Sequence, residues 1–170
     1  VAAGVSLLSV VAWATSAIPM SVSERTRFSD RVVLAQVLST QTVVKEGDAR
    51  TMRTLTRVVV GEDWKGQGPA QLEVQQLGGR WGLWEAHIPG DAQFTRGQTV
   101  VLWLRCAQSA SCQLVRLGEG KALVEGGEVV LFDLSTGEQS RQSVAQLKAS
   151  VSAPPPGVPD VKRGPTGVKR

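Results

Sequence analysis

Residues 31–39, RVVLAQVLS, are apolar on both faces apart from Gln36, the pattern of a strand buried on both sides. The polar run KEGDAR, 45–50, predicts a turn. Residues 51–60 then alternate, with Met52, Thr54, Thr56, Val58 and Val60 on one face and Arg53 and Arg57 on the other, which predicts a half-solvated strand. The run EDWKG closes it, 66–69 form a turn, and 72–77 alternates again with Leu72 and Val74 inward and Glu73 and Gln75 outward. There the rhythm stops. Residues 78–97, GGRWGLWEAHIPGDAQFTRG, hold five glycines and no sustained period. They predict an irregular loop of a length that is uncommon in compact domains and often functional.

The longest apolar run of the domain follows. Residues 100–106 and 112–117 flank five small or polar residues, 107–111, a hairpin pattern with a cysteine at each side of the connection. Residues 128–134 predict a last strand. Ser21 with Glu24, and Ser143 with Gln146, have capping-box spacing. They predict a short helix or turn through about Phe28 and a second short helix with Val144, Leu147 and Val151 on one stripe. Six or seven short strands with a short helix near each end predict an all-β sandwich or barrel without internal repeats.

The ends differ from this domain, 18–151. Residues 1–17 are apolar and uncharged and close on Thr15-Ser16-Ala17, which predicts a signal peptide cut before Ile18, with Ala12-Trp13-Ala14 as a second site. The first charge is Glu24, so the basic segment expected at the head of a signal peptide is not among these residues and its start is expected upstream; an uncleaved anchor is the alternative. No cysteine follows the apolar stretch directly, which excludes a lipoprotein anchor. Residues 152–170, SAPPPGVPDVKRGPTGVKR, predict a disordered or extended tail.

Charge changes the picture once it is located. The chain of 170 residues carries a net +4, but the tail holds +3 of it through Lys162, Arg163, Lys169 and Arg170 against Asp160. The domain is nearly neutral, which argues against nucleic acid as a partner. The tail can at most add a weak, salt-sensitive contact to an anionic surface. The two cysteines, Cys106 and Cys112, allow one bridge, the expected state in an exported protein. So short a loop is worth about 2 to 2.5 kcal/mol, enough to hold the hairpin register. The C-x5-C spacing lacks the second ligand pair of a metal site.

Several runs resemble the netrin-like module of tissue inhibitors of metalloproteinases: SDRVVLAQV, a Thr-rich strand ending VVVGEDWKG, and GQTVVLWL. They are more similar still to a set of exported bacterial proteins, some from myxobacteria, of unknown function. That pattern falls here on Ser29-Asp30, Lys65-Gly66, Gly78-Gly79, Pro89-Gly90, Phe94, Gly97 and 100–104, and covers roughly 29–124. The resemblance implies a single OB-like, netrin-like β-barrel and export. It brings no catalytic residues, and the Cys-x-Cys wedge of the animal inhibitors is missing.

Chemistry is sparse. His87 is the single histidine, and a triad with Asp91 and a serine has no nucleophile-elbow context. Glu85, His87 and Asp91 could supply three metal ligands, but their spacing is ordinary, so neither metal nor cofactor is expected. Lys65-Gly66 and 118–120 lack the phosphate-loop pattern. Trp81 and Trp84 stand out, because tryptophan in a Gly-rich loop is a platform for a sugar or peptide, with Arg80 and His87 beside them. The alternative is that both fold back over an open barrel end. Trp103, in mid-strand, is expected to be packing and Trp64 core or rim. The expectation is an exported, non-enzymatic binding module whose partner is an extracytoplasmic protein or envelope polymer. A protease-inhibitor-like protein and a hydrolase using His87 are the alternatives.

Overall fold

In a computed structural model the described residues are 20–106 and 111–153. The predicted signal segment, 1–17, most of the 107–111 connection, and all but the first two residues of the predicted tail, 152–170, lie outside them. The described chain is mostly strand. The two helices, α1 (Val22–Phe28) and α2 (Val144–Ser152), stand where the capping boxes place them, each with both reciprocal cap bonds made. Helix α2 runs one residue past the predicted domain end at 151.

Ten strands replace the six or seven expected: β1 (Arg31–Lys45), β2 (Asp48–Lys65), β3 (Gln71–Leu77), β4 (Gly79–Trp81), β5 (Trp84–Ala86), β6 (Thr99–Cys106), β7 (Ser111–Leu114), β8 (Lys121–Glu125), β9 (Glu128–Phe132) and β10 (Gln139–Ser143). Strands β1 and β2 run far beyond their apolar segments into a long ribbon, because Ser, Thr and Gln at 39–42 suit a pleated backbone without an apolar alternation. The predicted strand 112–117 stops at Leu114, since Arg116 and Leu117 take left-handed φ values of 57° and 53°. Strand β9 is not the last. The polar β10 pairs with it along Gln139–Phe132 to Ser143–Glu128 and leaves a hydrophilic sheet edge, which discourages pairing with other chains.

Strands β1, β2, β3, β7 and β6 pair in that order, and β6 pairs back onto β1 from Arg31–Leu104 to Gln36–Thr99, so the pairings close into a ring. The β3–β7 contact is parallel and the other contacts in the ring are antiparallel. Strand β6 divides its second edge. Its Cys106 end pairs with β7, and its Thr99 end pairs with β8, from which β9 and β10 continue outward.

This arrangement buries β1 and β6 on both faces. Val33, Ala35, Val37, Val100, Leu102 and Leu104 fill the inside of the ring with Val58, Leu72, Val74 and Cys112. Their neighbours Val32, Val101 and Trp103 face the other way, into a second core with Trp64, Leu131, Leu147 and Val151 under the helices. Two cores served by alternate residues explain why both strands read as unbroken apolar runs. Trp103 and Trp64 belong to this second core, as the sequence predicts.

The residues that carry the netrin-like resemblance do structural work. Lys65 Nζ donates to Thr26 O and Ser29 O, both at 2.6 Å, and so caps the C-terminus of α1. Asp30 Oδ2 accepts from Cys106 N at 2.9 Å, and a Cβ on Gly66 would lie 2.5 Å from Asp30 O. Together they fasten α1 to one end of the ring.

The two capping boxes differ in one respect that pH exposes. Hydrogen bonds from the Ser21 backbone and hydroxyl hold the Glu24 carboxyl below its usual 4.5, whereas Gln146 does not titrate. The contribution of Glu24 is complete above pH 4.5 and is lost as pH falls through the lowered folded value. Amide protection across α1, taken relative to the intrinsic exchange rate at each pH, is therefore expected to fall on acidification before that of α2. Equal acid response in the two helices would contradict this assignment.

Candidate functional site

The 78–97 segment departs from its prediction by containing a hairpin. Strands β4 and β5 pair as Gly79–Ala86, Arg80–Glu85 and Trp81–Trp84, closed by the two-residue turn Gly82-Leu83. Its root is fixed on the long β1–β2 ribbon. Thr54 Oγ1 donates to Gly78 O at 2.9 Å, and Arg80 N donates to Thr42 Oγ1 at 3.2 Å. A Cβ on Gly79 would lie 2.6 Å from Thr42 Oγ1 and 2.7 Å from Thr54 Oγ1, so only glycine allows this approach.

The remainder of the segment is tied down at several points. Gln76 Nε2 donates to Ala92 O at 2.8 Å, Gly118 N donates to Gly90 O at 2.9 Å, and Gly97 N donates to Val37 O at 2.8 Å. Lys121 Nζ donates to Gln93 O and to Gln98 Oε1, and lies 5.0 Å from the centroid of the Phe94 ring. Burial pushes the Lys121 ammonium below its usual 10.5. A long loop with this many anchors is a shaped wall.

Between that wall and the ribbon lies a cleft of about 250 Å³. Its floor comes from the inside of the ring. Strand β1 shifts register between Val37 and Ser39, after which Thr40 pairs with Thr56 and Thr42 with Thr54. The inward side therefore changes along the ring, from Val33, Ala35, Val37, Val58 and Val74 at one end to Thr40, Thr42, Thr54, Thr56 and Gln76 at the other. Thr40 and Thr56 hydroxyls meet at 3.3 Å. Arg80, Glu85, His87 and Asp91 line the same cleft above Phe94 and Ala92.

Of the predicted site residues, Arg80 and His87 thus share the cleft with Glu85 and Asp91. His87 makes no hydrogen bond or ion pair among the described residues, and no three His, Cys, Asp or Glu among them are grouped to hold a metal ion. Trp81 and Trp84 sit one rung farther along the hairpin and remain in solvent, 40% and 63% exposed, with Leu83 at the turn fully so. They do not fold back into a core. Cys106 and Cys112 are bonded across β6 and β7, with Cα atoms 4.2 Å apart, at the opposite end of β6 from the Gly97–Val37 anchor.

Sequence reasoning missed the threonine floor and Gln76. Thr54 and Thr56 stand on the predicted face of β2 with Val58, but Thr40 and Thr42 come inward only through the register shift at Val37/Ser39. The cluster of threonines at 40, 42, 54 and 56 is the signal that could have found them. Among the described residues no helix is long and apolar enough to cross a membrane. No family model, curated protein or solved structure matches the chain.

Proposed function

We propose that the protein is an exported, non-enzymatic binding module, built on an OB-like ring and using the β4–β5 hairpin with its adjoining cleft as the binding edge. One observation carries the reading: Trp81, Leu83 and Trp84 stand exposed together on a hairpin that is rooted by hydrogen bonds beside a polar cleft. Exposed apolar side chains in one contiguous patch are uncommon on soluble proteins and mark interaction surfaces. The five-strand ring with one parallel contact fits the small Greek-key barrel of the OB class, which is a ligand-binding scaffold. Export is supported by the Cys106–Cys112 bridge, since such bonds persist in oxidising compartments. The partner is an extracytoplasmic protein or an envelope polymer.

The test separates binding from folding. Because Trp84 is 63% and Trp81 40% exposed and neither belongs to a core cluster, Trp81→Ala with Trp84→Ala is expected to cost about 1 kcal/mol, far less than a core truncation. The melting temperature should move by about 3–5 °C. The immobilised wild-type chain is expected to retain a component of the producing cell's extracytoplasmic fraction that the double variant releases. Equal retention by both proteins removes the hairpin as the binding edge.

A further inference from the structure

We infer that the cleft beneath the β4–β5 hairpin is a saccharide site, taking one ring of an extracytoplasmic glycan on the threonine floor. This rests on the binding-module reading and names its ligand class.

The floor is the first argument. The inside of a small closed sheet normally packs with aliphatic side chains, as the other end of this ring does with Val33, Val37, Val58 and Val74. Valine and threonine have the same shape, so a threonine at an inward position exchanges a methyl for a hydroxyl that must find a partner. Here Thr40, Thr42, Thr54 and Gln76 all face the cleft. Thr54 gives its proton to Gly78 O and Thr42 accepts from Arg80 N, which leaves the Thr42 hydroxyl proton to donate. Gln76 spends its amide nitrogen on Ala92 O, and its Oε1 accepts no hydrogen bond among the described residues. The cleft therefore presents separate donors and acceptors at fixed places.

The rim is the second argument, because its charges select against ions. Arg80 stands across the hairpin from Glu85, and Asp91 lines the same space. A phosphate or carboxylate would meet two carboxylates, and a cation would meet a guanidinium. A neutral ligand rich in hydroxyls can donate to Glu85 and Asp91 and accept from Arg80 at once. The volume of about 250 Å³ is below the ~300–1,000 Å³ of sites for drug-sized ligands, and suits a single ring.

The test is sedimentation of the full chain with insoluble chitin, cellulose and purified peptidoglycan. Anionic phosphatidylglycerol vesicles and denatured casein serve as comparison probes. Saturable binding to at least one polysaccharide is expected. Arg80→Ala and Glu85→Ala, whose side chains make no hydrogen bond or ion pair among the described residues, should each weaken it roughly three- to tenfold with melting unchanged. No sedimentation with any of the three polysaccharides overturns the saccharide site, and so does binding that ignores both cleft variants. Retention of vesicles or casein lost only in the tryptophan pair would overturn the saccharide site while leaving the binding-module reading standing.

Discussion

Glu119→Ala is expected to remove about 3–5 kcal/mol of stability, read as a lower urea midpoint with an unchanged slope. Glu119 is fully buried in the 3₁₀ turn Leu117–Gly120, and its charge faces two arginines. Arg25 Nη2 lies 4.0 Å from Glu119 Oε1, and Arg116 Nε lies 3.0 Å from Oε2. The Arg116 approach is not aligned as a hydrogen bond, so that oxygen is held by charge, while Oε1 accepts from Leu134 N at 3.0 Å. Arg25 is itself buried, and donates to Met20 O, Glu119 O and Phe132 O at 3.1, 3.1 and 3.2 Å. It thereby ties α1 to the 3₁₀ turn and to β9. Burial lowers the Arg25 pKa from its usual value, and Glu119 is the leading group that opposes the shift.

Removing the carboxylate leaves a guanidinium in the interior with backbone carbonyls and the weaker influence of Asp133, which costs far more than the pair contributes. Taking both charges away should cost less. Arg25→Met combined with Glu119→Leu is expected to be less destabilised than the sum of the single changes, a coupling that a double-mutant cycle measures directly. If Glu119→Ala unfolds within about 1 kcal/mol of wild type, the buried cluster is not what holds α1 to the sheet. Since a domain of this size has only about 5–15 kcal/mol in total, the larger result would leave little margin.

That cluster also marks where sequence reading stops. Both helices, the alternation of β2 and β3 and the Cys106–Cys112 pairing are legible because each depends on residues close together in the chain. LGEG at 117–120 has every sign of a solvated turn, and its glutamate is buried only because Arg25 arrives from 94 positions away. The threonine floor is hidden for a different reason. Counting by twos from Val33 puts Ser39 and Gln41 inward, and the single extra residue at Leu38 turns Thr40 and Thr42 inward instead. The β4–β5 hairpin is too short to show a period, and its place depends on Gly79 meeting two threonines of the ribbon. The polar β10 carries no apolar signal at all. So the strands that build the cores are readable, while the cleft, made by a bulge and long-range contacts, is not.

Trp103→Ala is expected to cost about 3–5 kcal/mol, against about 1 kcal/mol for the Trp81 and Trp84 pair. Trp103 is wholly buried between β6 and both helices, among Trp64, Val115, Leu147 and Val151. Its indole Nε1 donates to Thr26 Oγ1 at 3.1 Å, so it joins α1 to the ring by a hydrogen bond as well as by area. Truncation to alanine loses the transfer energy of the ring system and opens a cavity that strands paired on both sides cannot collapse to fill. Trp103→Phe should recover most of the loss and leave the Thr26 hydroxyl without its donor, a residual of about 1 kcal/mol. Urea unfolding of the three variants ranks them. A Trp103→Ala protein as stable as the hairpin variant would mean that the second core does not depend on this ring. The expected separation would divide the tryptophans by their work: Trp103 and Trp64 hold the helices on the sheet, and Trp81 and Trp84 are left in solvent by a fold that is stable without them.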